Sequence, residues 1–393
     1  MPLLFRVCRK MKTAKKDCLF KKMRYTIKHI FISEALWQWN EKTYNLAGGI
    51  MRELKNLDWN NLGFQYRPCD KRYVANYKDG KWDDGGLSDD PNVTINECAG
   101  ILQYCQECFE GLKAYETVNG DIVCFRPDLN AERMADSAKF LCMPSFPKEK
   151  FLEALRETVK ANIGYVPPYG TGASLYVRPY MFASGPVIGV KPSHEYIFRM
   201  IVMPVGPYFK GGAKPIALMV SDFDRAAPRG TGHIKAGLNY AMSMHAHEIA
   251  AEAGYAENLY LDPAERRYVE ETGGANFYFI SADGKTLITP KSDSILPSIT
   301  RRSIVYVAEH MLGLKVEERR VEMNELTEFS ECGLCGTAAV ISPVGKINDH
   351  GTDIVFGKGM EAPGPVTEKL YETLTGIQLG KIEAPEGWIF KIA

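Results

Sequence analysis

The chain has 393 residues, 45% of them hydrophobic, which is enough for two ordinary domains, each with its own core. Lys plus Arg and Asp plus Glu are equal at 48 each, which excludes a molecule-wide pull towards nucleic acid or an anionic membrane surface. No apolar run approaches the roughly 20 residues that a spanning helix needs, so no membrane partner is expected.

The charge is uneven along the chain. Residues 1–30 carry ten Lys/Arg against the single acid Asp17, a local +9 that leaves −9 on the remainder. This segment lacks the uninterrupted apolar core of a secretory signal. It is mostly Lys and has no Ser, which makes it a poor mitochondrial transit peptide. Residues 1–50 are therefore expected to be a basic extension outside the fold, and the protein to be cytoplasmic. Ten cysteines in such a chain point to free thiols in a reducing compartment. Two CxxC pairs, Cys105/Cys108 and Cys332/Cys335, could offer four thiolates. They lie 224 residues apart, far beyond the spacing of a sequence-local zinc module, and no metal site is expected.

From about Met51 the segments alternate. Residues 93–100, 121–127, 173–183 and 194–205 read as strands, and 130–142 and 148–163 have helical spacing. The Pro/Gly-rich stretch 204–212 (PVGPYFKGG) reads as a linker, dividing a smaller domain, 51–203, from a larger one, 213–393. The second half opens with a strand in PIALMVS. A helix then follows Lys235, with an apolar face of Leu238, Met242, Ala246, Ile249 and Ala253 and a stop at Gly254. A hairpin is expected to turn at Asp262-Pro263. Strands follow in GANFYFIS and KTLITP, then a helix over about 298–312 that stops at Gly313. KVEERRV, a strand in GTAAVISPV and a helix around 365–375 complete the chain. Strands mixed with helices in two halves predict a two-domain α/β protein with α+β character.

A few residues could carry chemistry. Lys235 sits at the mouth of its helix, with Tyr240 five positions on. Glu271 stands where a strand gives way to a Thr-Gly-Gly turn, Thr300 at a helix start, and Thr337 in a Gly-Thr-Ala-Ala turn. Each alone has an ordinary reading: a surface lysine, a solvated strand end, a first-turn residue, a turn hydroxyl. Together they match one ligand. A helix N-terminus with threonine hydroxyls is a phosphate site. A carboxylate can keep a ring nitrogen protonated, a tyrosine can bond a phenolic oxygen, and a lysine with free amine can form a Schiff base with an aldehyde. Phosphate, ring nitrogen, phenolate and aldehyde together describe pyridoxal 5'-phosphate.

The stretches FEGLKAY, NAERMADSAKF, IKAGLNY, EETGGANF, LPSITRR and CGTAAVISPV, in that order, closely resemble branched-chain-amino-acid aminotransferases, the class IV, fold-type IV pyridoxal-phosphate enzymes. The resemblance runs from about Leu62 to the C-terminus. It implies a two-domain fold with the active site at the domain interface, and a homodimer. Lys235 would form the Schiff base and shuttle the proton, Tyr240 would bond the phenolic oxygen, and Glu271 the pyridine nitrogen. Arg133, Thr300 and Thr337 would hold the phosphate with the backbone amides of Ile299 and Thr300. Tyr176 and Arg178 would contact substrate at a carboxylate end. The backbone at Ala338 and Ala339 would bind the α-carboxylate, and Phe109 and Tyr208 would line the side-chain pocket. The implied reaction moves the amino group of L-leucine, L-isoleucine or L-valine to 2-oxoglutarate, giving branched-chain 2-oxo acids and L-glutamate.

Two departures stand out. Ser298 occupies a position where the family usually has glycine. Ala339 and Ser342 stand where some members carry a redox CxxC. A D-amino-acid aminotransferase or an aminodeoxychorismate lyase would share the cofactor motifs, and a thiol-based metal or redox protein is the reading from another class.

Overall fold

Long strands with inward-facing apolar residues organise the chain into two sheets. The computed structural model describes residues 52–206 and 214–393. The extension 1–50 and most of the expected linker, with Tyr208, lie outside the described residues.

The first sheet is antiparallel. It contains β1 (Arg72–Lys78), β2 (Lys81–Trp82), β3 (Gly86–Ser88), β4 (Glu107–Phe109), β5 (Leu112–Glu116), β6 (Ile122–Phe125), β7 (Ser174–Ala183) and β8 (Tyr196–Val205). The last two pair from Ser174↔Val205 to Ala183↔Tyr196 and form its spine. Three helices accompany these strands: α1 (Gly100–Tyr104), α2 (Pro127–Phe140) and α3 (Lys148–Ala161). Pro127 suits the first turn of α2, where its missing N–H costs nothing. Apolar residues at helical spacing, Met134 and Ala138 of α2 and Phe151, Leu155 and Val159 of α3, bury against Val177, Phe198 and Met200.

The second sheet is mixed. Its strands are β9 (Ile216–Val220), β10 (Glu257–Leu259), β11 (Asn276–Ser281), β12 (Thr286–Pro290), β13 (Lys315–Arg319), β14 (Phe329–Gly336), β15 (Val340–Asp349) and β16 (Thr352–Val355). The spatial order is β10-β9-β15-β14-β11-β12-β13, with β16 beside β15. The helices here are α4 (Gly237–Glu252), α5 (Ile299–Tyr306) and α6 (Pro365–Gln378). Both faces are buried. Phe277 and Phe279 face one core, while Tyr278 and Ile280 face another, which α5 and α6 cover with Ile304, Leu370 and Leu374. A last strand, β17 (Ile389–Lys391), returns to pair with β6 at the edge of the first sheet.

Three expectations fail for local reasons. Residues 93–100 make no strand beyond the single bridge Ala99↔Pro186: the Asn96 side chain accepts the Cys98 N–H at 2.8 Å and turns the chain into α1. GTAAVISPV is not one strand, because Thr337, Ala338 and Ala339 form the turn between β14 and β15. β14 itself escapes notice because its central residues are buried on both faces and show no alternation. Finally, α4 buries Asn239, Ser243, Ala246 and Ala250, and leaves Met242 55% exposed. Its rotation follows from hydrogen bonds: Asn239 Nδ2 donates to the carbonyls of Thr231 (2.7 Å) and Ile234 (3.0 Å), holding that face against the loop that carries Lys235. The helix does end at Gly254, whose φ of +86° is the left-handed conformation glycine tolerates.

The CxxC pairs separate on the same logic. Residues three apart on a strand point to opposite faces, so Cys332 enters one core and Cys335 the other. Burial pushes the Cys335 thiol up to about 12 and that of Cys332 well above its usual range. Cys105 is exposed while Cys108 is buried. Among the described residues no cluster of His, Cys, Asp and Glu could hold a metal, and no helix is long and apolar enough to cross a membrane.

Candidate active site

Several hydrogen bonds join the two sheets around one cavity of ≈ 230 Å³. The Phe109 N–H donates to the Lys235 carbonyl at 3.0 Å, and the Lys235 N–H donates to Ser137 Oγ at 3.0 Å. Lys113 Nζ donates to the Ala338 carbonyl at 2.6 Å, and Thr337 Oγ1 to the Gly111 carbonyl at 3.2 Å. The residues on either side are thus held in register by backbone groups, a rigid frame for side-chain chemistry.

Lys235 points inward. Its backbone is fixed from both sides, and Nζ donates to the Tyr240 hydroxyl at 2.5 Å. The ammonium also lies 4.6 Å from the centre of the Phe109 ring, a cation–π contact. The lysine at the helix mouth is therefore no surface group: its amine enters the cavity.

Glu271 lines the same cavity and is buried. Oε1 meets Arg225 Nη2 at 2.7 Å and accepts the Leu296 N–H at 2.8 Å, while Oε2 accepts from Asn276 Nδ2 at 2.6 Å. Burial raises the carboxyl to about 7, against the opposing pull of Arg225 and the Leu296 amide. The group sits where a small change in surroundings moves its proton. Arg225 is itself fixed by the carbonyls of Gly232 and Ser294, both at 2.7 Å.

At the start of α5, Ser298 caps the helix by accepting the Arg301 N–H at 3.1 Å. Ser298 thus closes the third amide of the helix. The preceding amides of Ile299 and Thr300 keep the orientation that suits an anion. Arg133 is bidentate to buried Glu110 at 2.7 and 2.8 Å, and its Nη1 donates to the Pro297 carbonyl at 3.1 Å. It therefore braces the α5 N-terminus, with donors to spare.

Arg178 Nε and Nη2 donate to the Tyr176 hydroxyl at 3.2 and 2.9 Å, and its guanidinium stacks 4.6 Å from the Phe109 ring centre. Phe109, Arg133, Tyr176, Arg178, Lys235, Tyr240, Glu271, Ile299, Thr337 and Ala338 all line the cavity. Thr300 lines instead a small adjoining space of ≈ 20 Å³, with Thr337. Ala339 lies in the turn but not on either wall, and Tyr208 is outside the described residues.

Comparison with known proteins fits this geometry. The family description "Amino-transferase class IV" matches residues 107–347. The chain belongs to the class IV aminotransferases. The branched-chain-amino-acid aminotransferase of Haemophilus influenzae is 52% identical over 344 residues, covering 86% of this chain and the whole of that protein. The Escherichia coli branched-chain amino acid aminotransferase superimposes with a TM-score of 0.70 at 29% identity, covering 83% of this chain and all of that one. A third, the branched-chain amino acid aminotransferase from Thermobaculum terrenum in its PLP form, gives a TM-score of 0.68 at 25% identity, covering 83% and 100%. The mixed α/β architecture is that of the fold-type IV class IV aminotransferases, which depend on pyridoxal phosphate.

The residues present fit that cofactor. An amine and a phenol lie within hydrogen-bond reach, a buried carboxyl near 7 lies beside them, and amides at a helix start share the cavity wall with a threonine hydroxyl. Sequence reasoning missed Arg225, Glu110, Asn276 and Ser137. Glu110 carried a signal, since it lies inside FEGLKAY beside Phe109. Arg225 carried none, because its partner Glu271 is 46 residues away (271 − 225) on another segment.

Proposed function

We propose that this chain transfers the amino group of L-leucine, L-isoleucine and L-valine to 2-oxoglutarate, releasing branched-chain 2-oxo acids and L-glutamate, with pyridoxal 5'-phosphate as cofactor. The observation that carries the reading is the Lys235–Tyr240 contact of 2.5 Å inside a cavity that also contains buried Glu271.

The bound cofactor supplies an aldehyde that condenses with amines and a ring that takes up the electron pair left when Cα loses its proton. Lys235 Nζ is the base that removes that proton and returns it. Its backbone bonds to Phe109 and Ser137 keep the amine aimed at the same point through both halves of the reaction. Tyr240 orients Nζ and offers its hydroxyl to a phenolic oxygen. Glu271, fixed by Arg225, Asn276 and the Leu296 amide, holds a proton at a pyridine nitrogen. Ile299, Thr300, Thr337 and Arg133 are assigned to the phosphate, and the amides at Ala338 and Ala339 to the substrate α-carboxylate.

Phe109 and Tyr176 offer an apolar wall to a branched side chain, and Arg178 offers a charge to the second carboxylate of 2-oxoglutarate. Tyr208 is assigned to the same pocket from the sequence resemblance alone. The division into 51–203 and 213–393 is proposed as two domains, supported by the two sheets with separate cores. A cytoplasmic homodimer completes the proposal, with light scattering of the purified protein as its check.

The test is the visible absorbance of purified enzyme with L-leucine and, separately, with D-alanine. Loss of the cofactor band with L-leucine, and its return with 2-oxoglutarate, is the expected result. A response to D-alanine alone would place the protein with the D-amino-acid enzymes. No band after adding pyridoxal phosphate would end the reading.

A further inference from the structure

The pocket just described must accept an isobutyl group beside an arginine. Among the described residues, Arg178 donates hydrogen bonds only to the Tyr176 hydroxyl. A second charged group stands on the same surface. In β4, Glu107 and Phe109 face the same way, and they lie opposite Phe182 and Tyr180 of β7. Arg178 and Tyr176 continue that row at period two along β7, so Glu107 and Arg178 share the face that Phe109 presents to the cavity.

Glu107 is mostly enclosed. Its Oε1 accepts the Gly237 N–H at the first residue of α4, two positions after Lys235. A Cβ at Gly237 would fall on that carboxylate and force it to shift. Burial raises the Glu107 carboxyl, while the Gly237 amide, Arg178 and Lys235 draw it down. The carboxylate therefore lies within electrostatic reach of Arg178 and Lys235.

We propose that Glu107 is a specificity-determining residue: its fixed negative charge balances Arg178, which lets the pocket take aliphatic side chains and moderates its attraction for dicarboxylates. This rests on the substrate reading given above. With Glu107 charged, an aliphatic side chain meets a guanidinium whose field is partly offset. A second substrate carboxylate reaches the same guanidinium against the repulsion of Glu107.

Glu107→Gln separates the charge from the hydrogen bond, since its amide oxygen can still accept the Gly237 N–H. Dissociation constants of glutarate and 4-methylvalerate are measured on the holoenzyme by calorimetry. Neither ligand can react, both carry one carboxylate head, and only glutarate carries a second, so effects on the head cancel in the ratio. In Glu107→Gln, glutarate is expected to gain about fivefold over 4-methylvalerate relative to wild type. The ratio of kcat/KM for glutamate over leucine should rise in parallel.

Glu107→Asp, which keeps the charge, should hold the ratio near its wild-type value. If Glu107→Gln does not fold, Glu107→Ser supplies the neutral variant. An unchanged ratio in the neutral variant, a shift towards 4-methylvalerate, or an equal shift in Glu107→Asp overturns the inference and leaves the transaminase reading standing. A wild-type holoenzyme that ignores leucine overturns both.

Discussion

Replacing Glu271 by glutamine removes one titrating proton from the buried cluster of Arg225, Asn276 and the Leu296 amide. Burial raises the Glu271 carboxyl from 4.5 to about 7. The cofactor-free folded protein therefore keeps a proton at pH values where the unfolded chain has lost it. The stability this lends is fully present below 4.5, declines through the interval, and is gone above about 7. At ~1.4 kcal/mol for each pH unit, that interval amounts to about 3 kcal/mol. Glutamine does not titrate. Any cost of its altered contact with Arg225 displaces the variant's whole curve without changing its slope. Urea unfolding of both cofactor-free proteins from about pH 5 to 8 gives the comparison, and other groups cancel in the difference. Wild-type stability, relative to the variant, should fall by roughly 2–3 kcal/mol across that range as pH rises. Parallel curves, or a gap that opens the other way, would refute the claim that burial outweighs Arg225 at this carboxyl.

Lys235→Ala should lower leucine turnover by about 10⁴-fold or more, and borohydride reduction of that variant should leave no cofactor attached to the chain. Ser298→Ala should cost about 1 kcal/mol of stability and Ser298→Gly only a few tenths, read by thermal unfolding, because only serine caps α5 by its side chain. Gly237→Ala should destabilise by roughly 1–3 kcal/mol, and the loss should shrink when Glu107 is also alanine, since the added Cβ meets that carboxylate. In native protein, a thiol reagent should modify exposed Cys105 and Cys142 while leaving buried Cys332 and Cys335 untouched; reaction at Cys332 would contradict its placement in the core.

That Lys235, Tyr240 and Glu271 deserved notice was legible because they sit at or just after local punctuation marks, a helix mouth and a Thr-Gly-Gly turn, and the structure brings these three to one cavity. The α4 face was not. Its apolar residues imply burial of Met242 and Ile249, yet the polar residues Asn239 and Ser243 face inward to satisfy the loop around Lys235. β14 was illegible for the opposite reason, since a strand buried on both sides loses the alternation that marks strands.

Most of the helices and strands, and the placing of an amine, a phenol, a carboxyl and a helix start at local punctuation, could be read from the chain alone, because period, turn chemistry and capping act over a few residues. Only the tertiary structure decided which groups face one another. Arg225 reaches Glu271 within the second half of the chain and Glu110 reaches Arg133 within the first, while Glu107 meets the first residue of α4 across the two. Those pairings depend on long-range packing that turns and periodicity do not encode, and they set the charge at each atom of the site.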